Sequence, residues 1–510
     1  MPDIVLSTLN AKYIHASFGL RYLLANLGEL KSRACLVEFD INQRPLDIAE
    51  VLLARAPKII GLGVYIWNVT ETTELVAALK RLRPELIIVL GGPEVSFETD
   101  QQEIVRLADF VITGEADLKF AEVCGQLLRG ERPQQKVIVA PLPAMTQLQL
   151  PYDLYAADDL AHRIIYVEAS RGCPFTCEFC LSSLDVPVRA VDLERFLAAL
   201  DGLLARGVKQ FKFVDRTFNL NLNTSRAILE FLRARFEPGM FFHFEMVPDR
   251  LPEGLRELVK QFPAGSLQFE VGIQTFNESV AALISRRQDY DRLAENLRFL
   301  RNETSVHVHA DLIVGLPGES LASFGTGFDR LIALGPQEIQ VGILKRLRGT
   351  PIVRHDQEWG MTYAAHPPYE ILQTRLIPFA EMQRLRRFAR YWDLVGNSGK
   401  FVATTPLIWK ADGSPFAGFL KWSDWLFAQT GRTHGVALVR LMELLLDFLR
   451  AEAGVDPEEA KQALLADYRR GGHNDTPNFL TASGTGTGTT EPTPQGKRPV
   501  AKRQQRHLAT

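Results

Sequence analysis

Cysteine is scarce in this chain, with five in 510 residues. That is too few for a disulfide framework and points to a reducing, cytoplasmic home. Long apolar runs are missing too. No stretch approaches the roughly 18–20 apolar residues that span a bilayer, so a membrane partner is not expected. Charge of one sign is not in excess either. Lys and Arg total 58 against 60 Asp and Glu, a formal net charge of −2, and nothing in that balance indicates nucleic acid or another polyanion. The N-terminus "MPDIVLSTLN" runs almost directly into strand-like text, without the basic region and apolar core of a secretory leader. The remaining composition is that of a globular protein, 46% hydrophobic and 23% charged, and the length suggests about three domains.

The first ~130 residues alternate short apolar runs with amphipathic segments. "DIVLSTL", "ACLVEFDI", "IIGLGVYI", "ELIIVLGG" and "DFVITG" read as strands, with helical patterns between most of them. Such alternation predicts a parallel sheet covered on both faces. Pro133, Pro141, Pro143 and Pro151 then break the pattern, which suggests a linker. From about 163 the alternation resumes with six further strand candidates, "RIIYVEAS", "QFKFVD", "FFHFEMV", "LQFEVGIQ", "VHVHADLIVG" and "EIQVGIL". Repeated strand–helix units predict a barrel or part of one. After ~365 the text becomes aromatic, basic and helical. The stretch "TASGTGTGTTEPTPQGK" is low-complexity and is expected to be disordered. The predicted division is 1–135, a 136–160 linker, 161–360, a helical 361–470, and a low-complexity and basic tail, 471–510.

Three of the five cysteines, Cys173, Cys177 and Cys180, fall within "RGCPFTCEFC". They follow the first strand of the second unit, at the strand end where barrel folds carry their chemistry. The spacing is C-x3-C-x2-C. Three thiolates leave one position open on a four-iron cluster, which normally takes four. Zinc is a rival, although neither Cys35 nor Cys124 offers a recognisable fourth ligand. A disulfide and chance packing are further readings that the residues leave open.

This motif, with Phe179 just before the last cysteine, resembles the radical S-adenosylmethionine (SAM) superfamily. The resemblance implies a [4Fe-4S] cluster on Cys173, Cys177 and Cys180, with SAM chelating the open iron and being cleaved to a 5′-deoxyadenosyl radical. Each later strand carries a residue that such a site uses. Asp215 in "FVDRTFN" is the candidate for the SAM amino group, although the usual Gly-Gly-Glu pattern is absent. Glu245, Gln274, Arg286 and Asp311 follow in order. That series is similar to the oxygen-independent coproporphyrinogen oxidase branch and the methylthiotransferases, and it implies contacts to the carboxylate, ribose and sulfonium of SAM. A guanidinium paired with a carboxylate fits that task.

The N-terminal unit carries strand-end glycines, Gly91 and Gly92, followed by Pro93, Glu94 and Ser96, and a second set, Gly114 and Glu115. Glycines there let a flat ligand approach the backbone, outside the carboxyl ends of the strands. With Asn10, Tyr65 and Asn68 these residues resemble the cobalamin-binding domain that precedes many radical SAM domains. Methionine-synthase-type domains place Asp-x-His-x-x-Gly after the first strand. Here "LNAKYIHASFGL" offers His15 and Gly19, without the aspartate and with one residue too many before the glycine. The orienting carboxylate for an imidazole ligand is therefore missing. Two readings remain: cobalamin held without a protein histidine, or His15 reaching the cobalt.

The expected fold is thus α/β: a Rossmann-like cobalamin-binding domain, a partial (β/α)6 TIM barrel, an α-helical C-terminal domain similar to an accessory domain of an uncharacterised bacterial subgroup, and a disordered tail. Phe388, Tyr391, Trp392, Trp422 and Trp425 are candidates for helical core or for a substrate pocket. The basic end "KRPVAKRQQRHLAT" reads as solvated. The expected activity is radical methylation of an unactivated carbon through cobalamin, fed by a flavodoxin- or ferredoxin-type electron donor. Rearrangement without methyl transfer and a cobalamin- or redox-sensing module are the alternatives. The substrate is not legible.

Overall fold

The computed structural model describes residues 1–185, 187–480 and 502–508. The low-complexity stretch 481–497, expected to be disordered, lies outside the described residues. Six parallel strands form the N-terminal sheet: β1 Ile4–Asn10, β2 Ala34–Asp40, β3 Ile59–Gly63, β4 Ile87–Gly91, β5 Phe110–Thr113 and β6 Val137–Val139, in the order β2-β1-β3-β4-β5-β6. Every residue of β1 and β3 is buried, as a strand covered on both faces requires, and each face of the sheet carries its own apolar core. Strand β6 falls inside the stretch that the prolines mark as linker. It is a three-residue edge strand held by pairing with Val111–Thr113, too short for periodicity to reveal.

The second sheet is built from β7 Ile165–Val167 and, after a two-residue ladder of β8 Ser170–Arg171 with β9 Arg189–Ala190, from β10 Gln210–Phe213, β11 Phe241–Met246, β12 Leu267–Gln274, β13 His307–Val314 and β14 Glu338–Ile343. These run parallel in the order β14-β13-β12-β11-β10-β7, with the outer two unpaired to each other. The result is a six-stranded partial barrel. Side-chain caps start most of its helices: Asp192, Asn221, Asn277, Asp289 and Ser320 each accept from a first-turn N–H, satisfying donors the helix itself cannot. The strands alternate. Phe211, Phe213, Phe242, Phe244 and Phe269 are buried under the helices, with Phe213 and Phe244 stacked at 4.3 Å between centroids. The intervening positions, Lys212, His243, Glu245, Glu270, Gly272, His309 and Asp311, are the lumen face.

Four helices, Phe379–Leu394, Pro415–Thr430, Leu438–Ala451 and Pro457–Arg470, make the C-terminal region. Their aromatics are core. Phe328 of the barrel helix Leu321–Leu334 lies 5.1 Å from Phe388 and 4.9 Å from Trp392, and Tyr391 and Trp422 are buried. A small antiparallel pair, β15 Thr362–Tyr363 with β16 Ile371–Gln373, precedes them. The described part of the basic end is packed against the barrel, and not solvated as its composition suggested. Lys502–Leu508 is a helix at the N-terminal mouth of the barrel. Arg503 pairs with Glu338 (3.0 Å) and Asp393 (2.7 Å), and His507 meets the edge of His307 at 5.3 Å. Those partners lie more than a hundred residues away in sequence, so local charge patterning could not disclose them.

The two sheets face each other with their carboxyl ends. Past β14, Arg348 pairs with Glu94 (2.8 Å) and Glu98 (3.0 Å), and Arg346 with Glu98 (3.1 Å). Both glutamates follow β4. On the opposite side Arg21 and Arg163 each reach Glu38 at 2.8 Å.

Candidate active site

The cysteine loop leaves β7 and doubles back on itself. Gly172 sits at φ +92, and a Cβ there would lie 2.7 Å from the Asp185 carbonyl oxygen, so only glycine fits. Cys173 N donates to that same Asp185 carbonyl (3.0 Å), and Cys180 N to the Cys177 carbonyl (3.1 Å). Cys173, Cys177 and Cys180 then line one cavity of about 160 Å³. Burial pushes the Cys173 thiol up. Among the described residues, no three His, Cys, Asp or Glu side chains are grouped to hold a single metal ion. A four-iron cluster binds its cysteines through separate irons, so they need to share a cavity and not a point.

Phe179, Glu245, Gln274, Arg286 and Asp311 line the same cavity. Gln274 ends β12 at φ +71, a left-handed conformation unusual for a residue with a side chain. The register slips between Gly272 and Gln274, and a Cβ on Gly272 would strike Gln274 Nε2 at 2.4 Å. The bulge thus turns the Gln274 amide into the space that glycine leaves. Arg286 donates to the Gly272 carbonyl and lies 3.4 Å from Cys177 Sγ. Asp311 is half-buried, and its loss of solvent, reinforced by the charges of Glu270 and Glu245, pushes its carboxyl well up. Asp311 Oδ1, Gln274 Oε1 and Arg286 Nε are buried with no hydrogen-bond partner. Three such orphans in one cavity are what a polar ligand would complete.

Asp215 does not line this cavity. It is buried, and its carboxylate accepts from Ala169 N (3.0 Å) and Ser170 Oγ (2.7 Å), while burial pushes it up to about 6. It anchors the backbone entering the cysteine loop. The two residues that follow it, Arg216 and Thr217, take the lining instead, with Arg216 at 3.5 Å from Glu245. Glu270, a further lining residue, went unrecognised in the sequence. Burial works to raise its carboxyl, but His243 at 2.9 Å and Lys212 at 3.6 Å outweigh it and hold it below the usual range. Period-two alternation along β12 was the available signal for it.

A second cavity, of about 330 Å³, opens at the carboxyl ends of the N-terminal strands. Its floor includes Gly61, Gly63, Gly91, Gly92 and Gly114, with Tyr65 and Glu115 beside them. Gly92 sits at φ +107, and a Cβ there would meet the Val64 carbonyl oxygen at 2.5 Å. The remaining candidates lie elsewhere. Asn10 donates to Glu38 (3.0 Å). Asn68 donates to the Leu9 and Gly63 carbonyls (3.0 and 3.2 Å). Pro93 opens a single turn, Glu94 pairs with Arg348, and Ser96 donates to the Gly92 carbonyl (2.9 Å). His15 Nδ1 sits 2.6 Å from the Tyr166 hydroxyl, against the barrel edge.

The barrel closes this second cavity with residues that carried no motif. Arg171, two residues before Cys173, pairs with Glu115 (2.9 Å), Asp117 (2.9 Å) and Glu168 (2.7 Å) and lies over the Tyr22 ring at 4.3 Å. Burial raises Glu168 to about 6 even beside that guanidinium. Tyr22 Oη is buried and unpartnered. A glycine floor, an apolar wall including Leu20 and Phe120, and a polar rim fit a broad, flat ligand with polar edges.

A doubly wound sheet facing a cysteine-bearing partial barrel defines a two-cofactor class of protein. Residues 4–124 match the B12 binding domain, residues 167–329 the radical SAM superfamily, and residues 357–492 a protein family of unknown function, DUF4080. The chain thus carries a B12 binding domain followed by a radical SAM domain. It is 27% identical over 307 residues to an uncharacterized methyltransferase of Pyrococcus horikoshii, covering 54% of this chain and 64% of that one. It is 23% identical over 328 residues to the cobalamin-dependent radical SAM methyltransferase TokK of Streptomyces tokunonensis, covering 56% and 47%. The chain thus spans less than two thirds of the length of these curated relatives. The solved structure of the cobalamin-dependent S-adenosylmethionine radical enzyme OxsB with aqua-cobalamin bound superposes with a TM-score of 0.63 at 13% identity, over 94% of this chain and 82% of that one. The radical S-adenosylmethionine methyltransferase TsrM of Kitasatospora setae gives 0.58 at 16% identity, over 76% and 82%. These structural likenesses show the fold. No helix among the described residues is long and apolar enough to cross a membrane.

Proposed function

We propose that the chain is a cobalamin-dependent radical SAM enzyme that methylates an unactivated carbon. The observation that carries this reading is the shared cavity in which three cysteines meet Asp311 Oδ1, Gln274 Oε1 and Arg286 Nε, buried atoms with no hydrogen-bond partner. Cys173, Cys177 and Cys180 would hold the cluster. Glu245, Gln274, Arg286 and Asp311, joined by Arg216 and Glu270, would hold SAM. The glycine-floored cavity, with Tyr65, Glu115, Tyr22 and Asp117, would hold cobalamin. When bound, these groups supply one-electron cleavage of SAM to a 5′-deoxyadenosyl radical and a carrier for the methyl group. The protein's part is placement. Burial pushes the Asp311 carboxyl toward its neutral form while His243 and Lys212 hold Glu270 toward its carboxylate, so the cavity presents complementary polarity to a zwitterion. Arg171 ties the wall of one cavity to the loop of the other. A low-potential donor of the flavodoxin or ferredoxin type and a reducing, cytoplasmic setting complete the reading, as does the division into a cobalamin-binding 1–135, a barrel at 161–360 and a helical 361–470.

The test is anaerobic reconstitution with iron, sulfide and hydroxocobalamin, followed by reduction in the presence of SAM. We expect 5′-deoxyadenosine, and S-adenosylhomocysteine that depends on cobalamin; both should vanish in the Cys173→Ala/Cys177→Ala/Cys180→Ala variant. Deoxyadenosine without S-adenosylhomocysteine would replace methylation with rearrangement. A chain that loads no cluster would overturn the whole reading.

A further inference from the structure

Glu178 stands between Cys177 and Cys180 and is only 3% exposed. A carboxylate buried one residue from a thiolate is unfavourable unless it is matched. It is matched from two segments distant in sequence. Ser285 Oγ donates to its Oε1 at 2.6 Å, Arg354 donates to the same oxygen, and His355 Nε2 lies 3.0 Å from Oε2. The backbone repeats the pattern: Glu178 N donates to the Ile284 carbonyl and Ile352 N to the Glu178 carbonyl, both at 3.1 Å.

Each of those segments leads to a working part. Ser285 is held at φ +54, and the next residue is Arg286, which lies against Cys177 Sγ and the Gly272 carbonyl. The segment carrying Arg354 and His355 begins at Arg346 and Arg348, which clasp Glu98 and Glu94 of the N-terminal sheet. His355 Nε2 is also 3.1 Å from the Leu283 carbonyl, so the ring ties the Arg286 loop and Glu178 together.

We infer that Glu178 is a positioning residue, holding Cys177 and Cys180 in register with Arg286 and, through Arg354 and His355, with the N-terminal sheet. This rests on the radical SAM reading above. Reconstituted wild type, Glu178→Gln, Glu178→Ala and Arg354→Gln would be compared for iron content, equilibrium SAM binding and the electron paramagnetic resonance of the reduced cluster with and without SAM. Arg354 is 59% exposed on its side chain, so its variant should fold normally. Glu178→Ala is expected to weaken SAM binding by about tenfold or more and to change the SAM-induced shift of the resonance signal. A purely structural role would lower thermal stability and leave that signal alone. Glu178→Gln, keeping the Ser285 bond, and Arg354→Gln should fall between. If Glu178→Ala does not fold, the other two variants decide. Variants that load cluster, bind SAM within about twofold of wild type and show its signal overturn the proposal alone; a wild type that loads no cluster overturns the radical SAM reading with it.

Discussion

Glu319 sits just past the Leu-Pro-Gly turn after β13 and is buried. Its Oε1 accepts from Thr275 Oγ1 (2.7 Å) and Ser323 Oγ (3.2 Å), and its Oε2 has no partner. Burial raises this carboxyl to about 7, from 4.5 when exposed. Between those values the folded chain keeps a proton that the unfolded chain has released. Its stabilisation is therefore complete below about pH 4.5 and is lost as the pH rises to about 7, by roughly 3 kcal/mol. Asp215 and Glu168, each raised to about 6 by burial, lose stabilisation in the same direction. Urea denaturation between pH 4.5 and 8 should show a flatter stability curve for Glu319→Gln than for wild type, with the variant relatively more stable at pH 7.5. Parallel curves would mean that Glu319 is already ionised in the folded chain. At this scale the sequence disclosed the lumen carboxylates that fall on motif positions. It did not disclose Arg171, Glu270 or Glu178, whose roles depend on partners brought in by other elements.

The barrel strands were legible as elements because alternation of buried Phe with polar lumen residues is a period-two signal. The helices between them carry their own start signals in the capping Asp, Asn and Ser residues. The C-terminal helices were equally legible, but the use of their aromatics was not. Phe388 is fully buried and lies 5.1 Å from Phe328 and 5.2 Å from Phe419, so it joins the helix Phe379–Leu394 to the barrel and to the helix Pro415–Thr430. Phe388→Ala should lower stability by about 3–5 kcal/mol through lost burial and the cavity left behind, as read from chemical denaturation. A loss under about 1 kcal/mol would show that the helical region moves independently of the barrel. Strands β6, β15 and β16 are two or three residues long, below the length at which a pattern can be told from chance.

Across the whole molecule, the two sheets are registered by charge. Glu94 is nearly inaccessible, and it faces Arg348 (2.8 Å) and the Tyr369 hydroxyl (2.9 Å). Arg348→Ala leaves that carboxylate buried and should cost about 3 kcal/mol, because one partner is removed while the charge stays in place. Arg346, more exposed and paired with Glu98, should cost less than about 1 kcal/mol as Ala. Limited proteolysis should cut the connection between β6 and β7 faster in Arg348→Ala, and adding salt should enhance cleavage less in the variant than in wild type. Equal cutting rates for the two chains would place the hold between the sheets elsewhere, at Glu38 and Arg171.

The sequence by itself determined the order of the strands along the chain, the position of the cysteine loop after β7 and the strand-end glycines, since each depends on periodicity or on residue chemistry within a few positions. Tertiary structure alone decided which candidates meet. It sent Asp215 to the loop backbone, His15 to the Tyr166 hydroxyl and Glu94 to the clasp, and it brought Arg171 and Arg216 to the cavities. A side chain's partners depend on the register and twist of strands far apart in sequence, and no local pattern encodes them. The basic tail shows the same limit, because the carboxylate that captures Arg503 opens β14, at the far end of the barrel from the cysteines.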